Sequence, residues 1–438
     1  SAWRILSSVS LKRNPPQYRL AAERLIRLMD ELVDDQEKAR ISRMVGDCYL
    51  ANQDYGNALP RFLQLLESER NPDARDYLFG RAVECHLQMG AASAAVELLD
   101  QVRSEARPLS DPIWRAEWNL SMFWVRNRAS IDALNRMEGV YKTFENALGS
   151  GGVEDWKMVG LLRSGWILAF LNLQKGDNER VLQYVESVLG RLPVSEDPEM
   201  EARHAPMLAE LRVLEARARF GLGQHQEGQQ VFEMVRAMKG LSPEIAASTY
   251  LMEARNFRST GRIFEAQRAL VELADRYPSS NYAPVALYEA ALHEESRGSE
   301  TGDREAVRLL ERIVRDFPDH PLCFISKLRQ GDLLRKVNEF ASAVYLYETM
   351  IQEWAQDPRL PMVEMALGEA YFALGTSRDN YTDEAVRVFE RLLDLSSLSL
   401  DVRTEAGTKA ASALKRAGRN ARAQDILWRV IHESIRLA

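Results

Sequence analysis

The stretch Ala39-Arg-Ile-Ser-Arg-Met-Val-Gly-Asp-Cys-Tyr-Leu-Ala-Asn-Gln-Asp-Tyr-Gly-Asn-Ala-Leu-Pro-Arg-Phe-Leu-Gln-Leu-Leu66 decides the fold. Val45, Gly46 and Tyr49 are followed by Tyr55, Ala58, Phe62 and Leu66. Apolar residues at three- and four-residue steps keep one stripe of a helix buried, and here two such stripes follow one another. Gly46 and Ala58 are small enough for the two helices to approach closely. Tyr49 and Phe62 fill the space around that contact. The spacing predicts two antiparallel helices.

The same grammar returns down the chain. Residues 324–351 carry Gly331, Leu334, Phe340, Ala343, Tyr347 and Ile351. Residues 361–393 carry Leu367, Gly368, Tyr371, Gly375, Ala385, Phe389 and Leu393. Residues 247–278 carry Tyr250, Ala254, Phe257, Gly261, Ala266, Leu270 and Pro278, and residues 404–431 carry Ala411, Leu414, Gly418, Ala423, Leu427 and Ile431. The small residue of the second helix serves as a ruler, at Ala58, Ala95, Gly228, Ala266, Ala306, Ala343, Ala385 and Ala423. After Gly228 its steps are about 37 to 42 residues, near the lengths of helical-hairpin repeats. Between Ala95 and Gly228 the ruler fades, with Val181 after Gly176 marking one repeat.

This small–aromatic pattern, a Gly at the turn and a Pro after the second helix resemble the tetratricopeptide repeat family. Two segments end in that family's way, Leu273-Ala-Asp-Arg-Tyr-Pro278 and Ile313-Val-Arg-Asp-Phe-Pro318. The resemblance is strongest over residues 39–101 and from 240 onward. It departs from the family in lacking the motif Trp and in two insertions, Glu295–Gly302 and Thr376–Thr382. It implies an all-α chain of tandem helix-turn-helix repeats stacked into a right-handed superhelical solenoid. The longer repeats with Tyr-Pro or Phe-Pro endings are similar to bacterial cell-envelope members, including lipoproteins of outer-membrane-protein assembly and periplasmic partners of the Tol–Pal system. A periplasmic or envelope location is the expectation drawn from that likeness, with the cytoplasm as alternative.

The organisation expected is N-terminal repeats over 1–106, an irregular Trp-rich helical segment over 107–158, middle repeats over 159–240 and C-terminal repeats over 241–438. Pro108 and Pro112 bracket a turn, with Asp111 as a cap for the helix opening at Pro112. Trp114, Trp118 and Trp124 then crowd together. They read either as an anchor for a peptide or as filling of a packing gap. Gly149-Ser-Gly-Gly152 and Leu192–Glu199 are the expected soft points.

Composition narrows the function classes. Of 438 residues, 46% are apolar and 28% charged, and the formal net charge is -7. A nucleic-acid binder would show a basic footprint, and none is present, so nucleic acid is not expected as a partner. No apolar run approaches the length needed to span a bilayer. Ser1-Ala-Trp-Arg lacks the basic start and apolar core of a signal peptide, and it lacks an initiator Met. The chain is therefore expected to be a processed or trimmed piece. Cys48, Cys85 and Cys323 are isolated and read as small core residues. The six histidines show no zinc spacing, and His293-Glu-Glu-Ser lacks a second His. Gly221-Leu-Gly223 falls at an ordinary repeat turn with no strand before it. No catalytic residue, metal or cofactor is expected.

One hairpin cannot bury its own apolar face, so hairpins stack and leave a long curved surface. In the resembling family that surface is lined by first helices and holds a protein or peptide. Carried over by repeat phase, the partner-binding positions are Arg43, Asp47 and Leu50, then Arg255 and Arg258, then Leu328, Asp332, Arg335 and Lys336. They continue through Met365, Glu369 and Phe372 to Ser412, Lys415 and Arg416. Arg255, Arg258, Arg335, Lys336, Lys415 and Arg416 would make the C-terminal half basic and suited to a carboxylate or an acidic segment. The other reading takes them as ordinary solvated positions. The final helix, with Leu427, Trp428, Val430, Ile431, Ile435 and Leu437, is strongly apolar and offers a route to self-association. The alternatives to a binding scaffold are a structural oligomerisation module and a helical-solenoid enzyme subunit such as a cell-wall lyase.

Overall fold

In the computed structural model of the chain, the described residues are 10, 16–105, 108–148, 154–192, 198–375 and 379–437. They form 21 helices and no strand. The N-terminus Ser1–Arg4, the Gly149–Gly152 stretch, most of Leu192–Glu199, the start of the Thr376–Thr382 insertion and the Leu437 side chain lie outside them. The chain divides into two compact units, Ser1–Leu241 and Ser242–Ala438.

In the first unit helix α1 (Tyr18–Glu31) precedes five hairpins. These are α2 (Asp35–Ala51) with α3 (Tyr55–Ser68), α4 (Pro72–Gln88) with α5 (Ala92–Ser104), and α6 (Asp111–Arg126) with α7 (Ser130–Leu148). Then come α8 (Asp155–Lys175) with α9 (Asn178–Arg191), and α10 (Pro198–Gly221) with α11 (His225–Ala237). The second unit holds α12 (Pro243–Ser259) with α13 (Ile263–Arg276), α14 (Ala283–Ser296) with α15 (Glu300–Asp316), and α16 (Leu322–Lys336) with α17 (Phe340–Glu353). It continues with α18 (Leu360–Leu374) and α19 (Asp379–Asp394), then α20 (Leu400–Arg416) and α21 (Asn420–Leu437). Within each unit every helix packs on the next in sequence, so the hairpins stand in series and do not gather round one centre.

The ruler that fades in the sequence continues through Ala133, which is fully buried in α7. Five residues before the ruler residue the backbone turns left-handed, except before Ala306 and Ala385, which follow the two insertions. Gly176 and Gly261 hold φ at 78°, while Gln53, Arg128 and Asn338 take the same position with a side chain, at 61° to 63°. The turn thus demands positive φ whether or not glycine is present. Asp34, Asn71, Asp177 and Ser399 cap helices through side-chain oxygens. Asp111 is not a cap. Ser110 precedes α6, and the Asp111 carboxylate accepts hydrogen bonds from Trp114 Nε1 at 3.0 Å and Arg115 Nε at 2.9 Å. Helices α13 and α15 end two residues before Pro278 and Pro318, where proline's missing donor and ring forbid another turn.

The close approach of paired helices rests on small residues under rings. A Cβ placed on Gly46 would lie 2.7 Å from Cε1 of Phe62. Gly331 meets the Tyr347 ring and Gly368 the Phe389 ring in the same way. Tyr347 and Phe62 are fully buried there. Trp114 is buried too, edge-on to Phe144 at 5.9 Å, which makes it packing. Beside it, the buried Glu117 carboxylate accepts from Arg103 Nε at 2.9 Å and from Arg136 Nη2 at 3.1 Å. The three cysteines are buried and free, and burial pushes the Cys48 thiol up to about 11 and Cys85 to about 12.

Three substitutions test these contacts. Gly46→Ala forces the Phe62 ring aside and costs about 1–3 kcal/mol. Gly56→Ala, with open space around the new methyl, is neutral or stabilises by up to about 1 kcal/mol. Glu117→Ala leaves the Arg136 guanidinium, 8% exposed, with the exposed Asp100 carboxylate as its remaining counter-charge, and costs about 3 kcal/mol. Urea-unfolding midpoints of the full chain check the order Glu117→Ala, Gly46→Ala, Gly56→Ala.

Candidate functional site

Within each unit neighbouring first helices touch, α4 with α6, α6 with α8, α8 with α10, α14 with α16 and α16 with α18. Among the described residues no two neighbouring second helices reach that level of contact. The first-helix row is therefore the tighter, inner side of each unit, and residues pointing from it meet across the gap between hairpins.

In the first unit Arg43 of α2 lies 5.5 Å from the centroid of the Tyr77 ring of α4. The Tyr77 hydroxyl donates to the Asp47 carboxylate at 2.6 Å, and Arg81 sits 3.4 Å from the same carboxylate. Arg43 and Asp47 are thus brought together by two residues that the sequence reading left out. Leu50 is buried. A hollow of about 350 Å³ continues the row between α4 and α6, lined by Tyr77, Arg81, Glu84, Asp111, Arg115 and Asn119. Farther along, Trp118 of α6 tilts against Trp166 of α8 at 6.3 Å, with Arg163 over the Trp118 ring at 5.6 Å and Phe170 stacked on Trp166 at 5.1 Å.

In the second unit the face expected to be basic is largely neutralised by its neighbours. Arg255 of α12 donates to Glu289 of α14 at 3.1 Å. Arg329 of α16 donates to Glu295 at 2.7 Å. Arg335 of α16 pairs with Glu369 of α18 and with Asp332 at 3.4 Å, and Glu369 pairs onward with Lys409 of α20. Lys336 reaches the buried Asp303 at 2.8 Å. Arg416 lies over Phe372 at 3.5 Å. Asp332 accepts from the Tyr347 hydroxyl at 2.8 Å. Leu328, expected on the surface, is in the core at 5% exposed, because its face of α16 packs into the hairpin stack. Met365 is half-buried against the same core. Ser412 donates to the Thr408 carbonyl at 2.8 Å. Arg258 and Lys415 remain exposed with no ion pair among the described residues.

Several of these pairs share one offset. Arg255 and Glu289, Glu295 and Arg329, Asp47 and Arg81, and Arg335 and Glu369 each lie 34 residues apart. Opposite charges at that spacing are the signal that could have found Glu289, Arg329 and Arg81. Lys409 escapes it, at 40 residues from Glu369.

Beside Arg258, both ring nitrogens of His293 are buried without a hydrogen-bond partner. Burial, and then the Arg258 guanidinium, hold this imidazole below its ordinary value against the pull of Glu289 and Glu294. Among the described residues no group of three or more His, Cys, Asp and Glu could hold a metal ion, and no helix is long and apolar enough to cross a membrane.

A tetratricopeptide repeat family model matches residues 43–111 and 302–358. No curated protein sequence matches the chain. Among solved structures, residues 41 to the end of MamA from Desulfovibrio magneticus RS-1 are 19% identical, with 42% of this chain and 93% of that one covered at a TM-score of 0.33. PilF of Pseudomonas aeruginosa is 17% identical over 56% of this chain and 95% of that one, at 0.31. A human IFIT1 dimer with m7Gppp-AAAA is 13% identical over 94% and 93%, at 0.28. At these scores nothing of their functions is transferred.

The His293 environment gives a pH prediction. A ring held neutral in the fold takes its proton more readily in the unfolded chain. Its contribution is full above the unfolded value of about 6.5 and is lost as pH falls through the depressed folded value. The unfolding midpoint should fall between about pH 7.5 and about pH 5.5, and His293→Leu should reduce that fall. His86, lowered by burial in the first unit, supplies a remaining part.

Proposed function

We propose that the tetratricopeptide repeats carried by this chain make it a non-enzymatic scaffold that holds a partner protein or peptide along its first-helix faces. The observation that carries this reading is the row of touching first helices, with second helices spread apart behind it. Such a row offers side chains from successive hairpins to one extended partner. Rigid rings at Tyr77, Trp118 and Trp166 give contact area at small entropic cost. Charges already paired across hairpins are held in place before a partner arrives, which lowers the ordering that binding requires.

Of the groove cations expected in the second unit, Arg258 and Lys415 are available to a partner, while Arg255, Arg335 and Lys336 are engaged within the chain. An acidic or carboxylate-bearing segment fits the available pair. The envelope setting expected from the Tyr-Pro and Phe-Pro repeat endings belongs to the same proposal, and fractionation of cells expressing the full-length gene checks it.

Binding and folding respond to different charges under this reading. Reversing Arg258 and Lys415 together, to Glu, weakens partner capture by about tenfold, ~1.4 kcal/mol, and leaves the unfolding midpoint in place. Arg335→Glu sets a carboxylate against Glu369 and lowers the midpoint by on the order of 1 kcal/mol. Quantitative pull-down beside urea unfolding makes the comparison. Capture that ignores the Arg258 and Lys415 reversal removes the second-unit face from the proposal.

A further inference from the structure

Charges on the inner rows are largely matched within the chain, but not among the rings of the first unit. Trp118 of α6 and Trp166 and Phe170 of α8 are half-buried, so each keeps part of its ring open. Arg163 of α8 lies over the Trp118 ring at 5.6 Å. A guanidinium laid flat on a ring keeps its N–H edge for another group. Neither Arg163 nor the exposed Arg217 of α10 makes an ion pair among the described residues. Burial holds the Arg217 guanidinium below its ordinary value. A side chain that is open to solvent yet desolvated by its surroundings stands in a concavity.

The register of α8 and α10 sets where these groups lie. At the start of α8, Asp155 accepts from Arg203 at 3.3 Å, 48 residues away in sequence. Farther along, the Arg163 charge acts on the exposed Glu210 of α10, 47 residues away. The two helices therefore run side by side in one direction, and a further seven residues bring Arg217 level with Phe170. Arg163 and Arg217 are then about 10 Å apart along the axes and about 9 Å across them, or about 14 Å in all. The rings of Trp166 and Phe170, stacked at 5.1 Å, stand between.

We infer that this face takes an extended peptide segment of the form acid–x–aromatic–x–acid, with its two carboxylates on Arg163 and Arg217 and its ring against Trp166 and Phe170. The inference rests on the reading of first-helix faces as partner-holding and names the partner's chemistry in the first unit. In an extended chain every second side chain points the same way, at about 3.3 Å per residue, so residues i, i+2 and i+4 cover about 13 Å on one side. That span matches two cations with rings between them. Each arginine offers a fork suited to a carboxylate. Glu210 is the lone carboxylate set against these two cations, so the balance favours an acidic segment over a basic one. A continuous polyanion such as single-stranded nucleic acid would place phosphates against Glu210 and against a chain of net charge -7.

Fluorescence anisotropy of a labelled peptide with the core Asp-Ser-Phe-Ser-Asp in a Gly-Ser frame, titrated with the full chain, tests the inference. The expected result is saturable binding that weakens as salt rises. Arg217→Glu should weaken it by at least about tenfold, Arg163→Gln by several-fold, and Glu210→Gln should tighten it. Replacing the peptide's Phe with Ser, its two Asp with Lys, or its spacing with adjacent acids should each weaken binding by about tenfold. Arg217 and Glu210 are exposed and without ion pairs among the described residues, so the urea midpoints of their variants should not move, which separates lost binding from lost folding. No saturation at about 1 mM chain overturns the inference. Binding indifferent to Arg217→Glu, or a lysine peptide that binds equally well, overturns it too. An oligothymidylate that displaces the probe overturns the assignment to a peptide. The joint Arg258 and Lys415 reversal should leave the probe's affinity unchanged, because those residues belong to the other unit. A probe that fails while pull-down capture still responds to that reversal removes this inference and leaves the scaffold reading standing.

Discussion

A ring resting on a small residue, where two antiparallel helices come closest, sets the geometry of the hairpins that the sequence announces most clearly. With Phe62 over Gly46, Tyr347 over Gly331 and Phe389 over Gly368, no Cβ intervenes and the helix axes draw together. A larger residue beneath the ring would push the helices apart by a fraction of an ångström, and close-packed interiors transmit such shifts. The displaced apolar face would then fit its neighbour badly. The same contact decides what is left outside, since side chains not used for pairing or stacking are the ones free to meet something else.

Electrostatics on the inner row follow from this packing. Neighbouring first helices lie near enough for a side chain on one to reach a residue 34 positions later on the next. That offset is about one to two turns shorter than the 37 to 42 residues between ruler marks, so the pairs run diagonally, toward the start of the following helix. Half-exposed pairs of this kind add little stability singly. Their effect is to fix rotamers along a face that would otherwise bristle with mobile arginines.

The fold was legible because its determinants are local and repeated. Gly46, Ala58 and Phe62 announce one hairpin, and the same spacing at Gly331, Ala343 and Tyr347 announces another. Where the ruler faded, Ala133 was hidden among tryptophans and its turn residue was Arg128 in place of glycine, so neither local signal was in its usual form. The face was less legible. Arg335 and Lys336 read as free cations because a single helix shows only its own sequence, while Glu369 and Asp303 stand on other helices. Leu328 was assigned outward by phase, but the helix buries more than one stripe, touching its own partner and the hairpins on either side.

Serial stacking also governs how the chain reaches its native state. With each helix leaning mainly on its immediate successor, most native contacts join residues close in sequence, so little loop-closure entropy must be met before they form. Contact order of this low kind goes with rapid folding that can nucleate at more than one hairpin. Among the described residues, the inner hairpins of each unit lean on a neighbour at both sides, so opening one of them breaks two sets of contacts. Their amide protons are therefore the last to exchange with solvent.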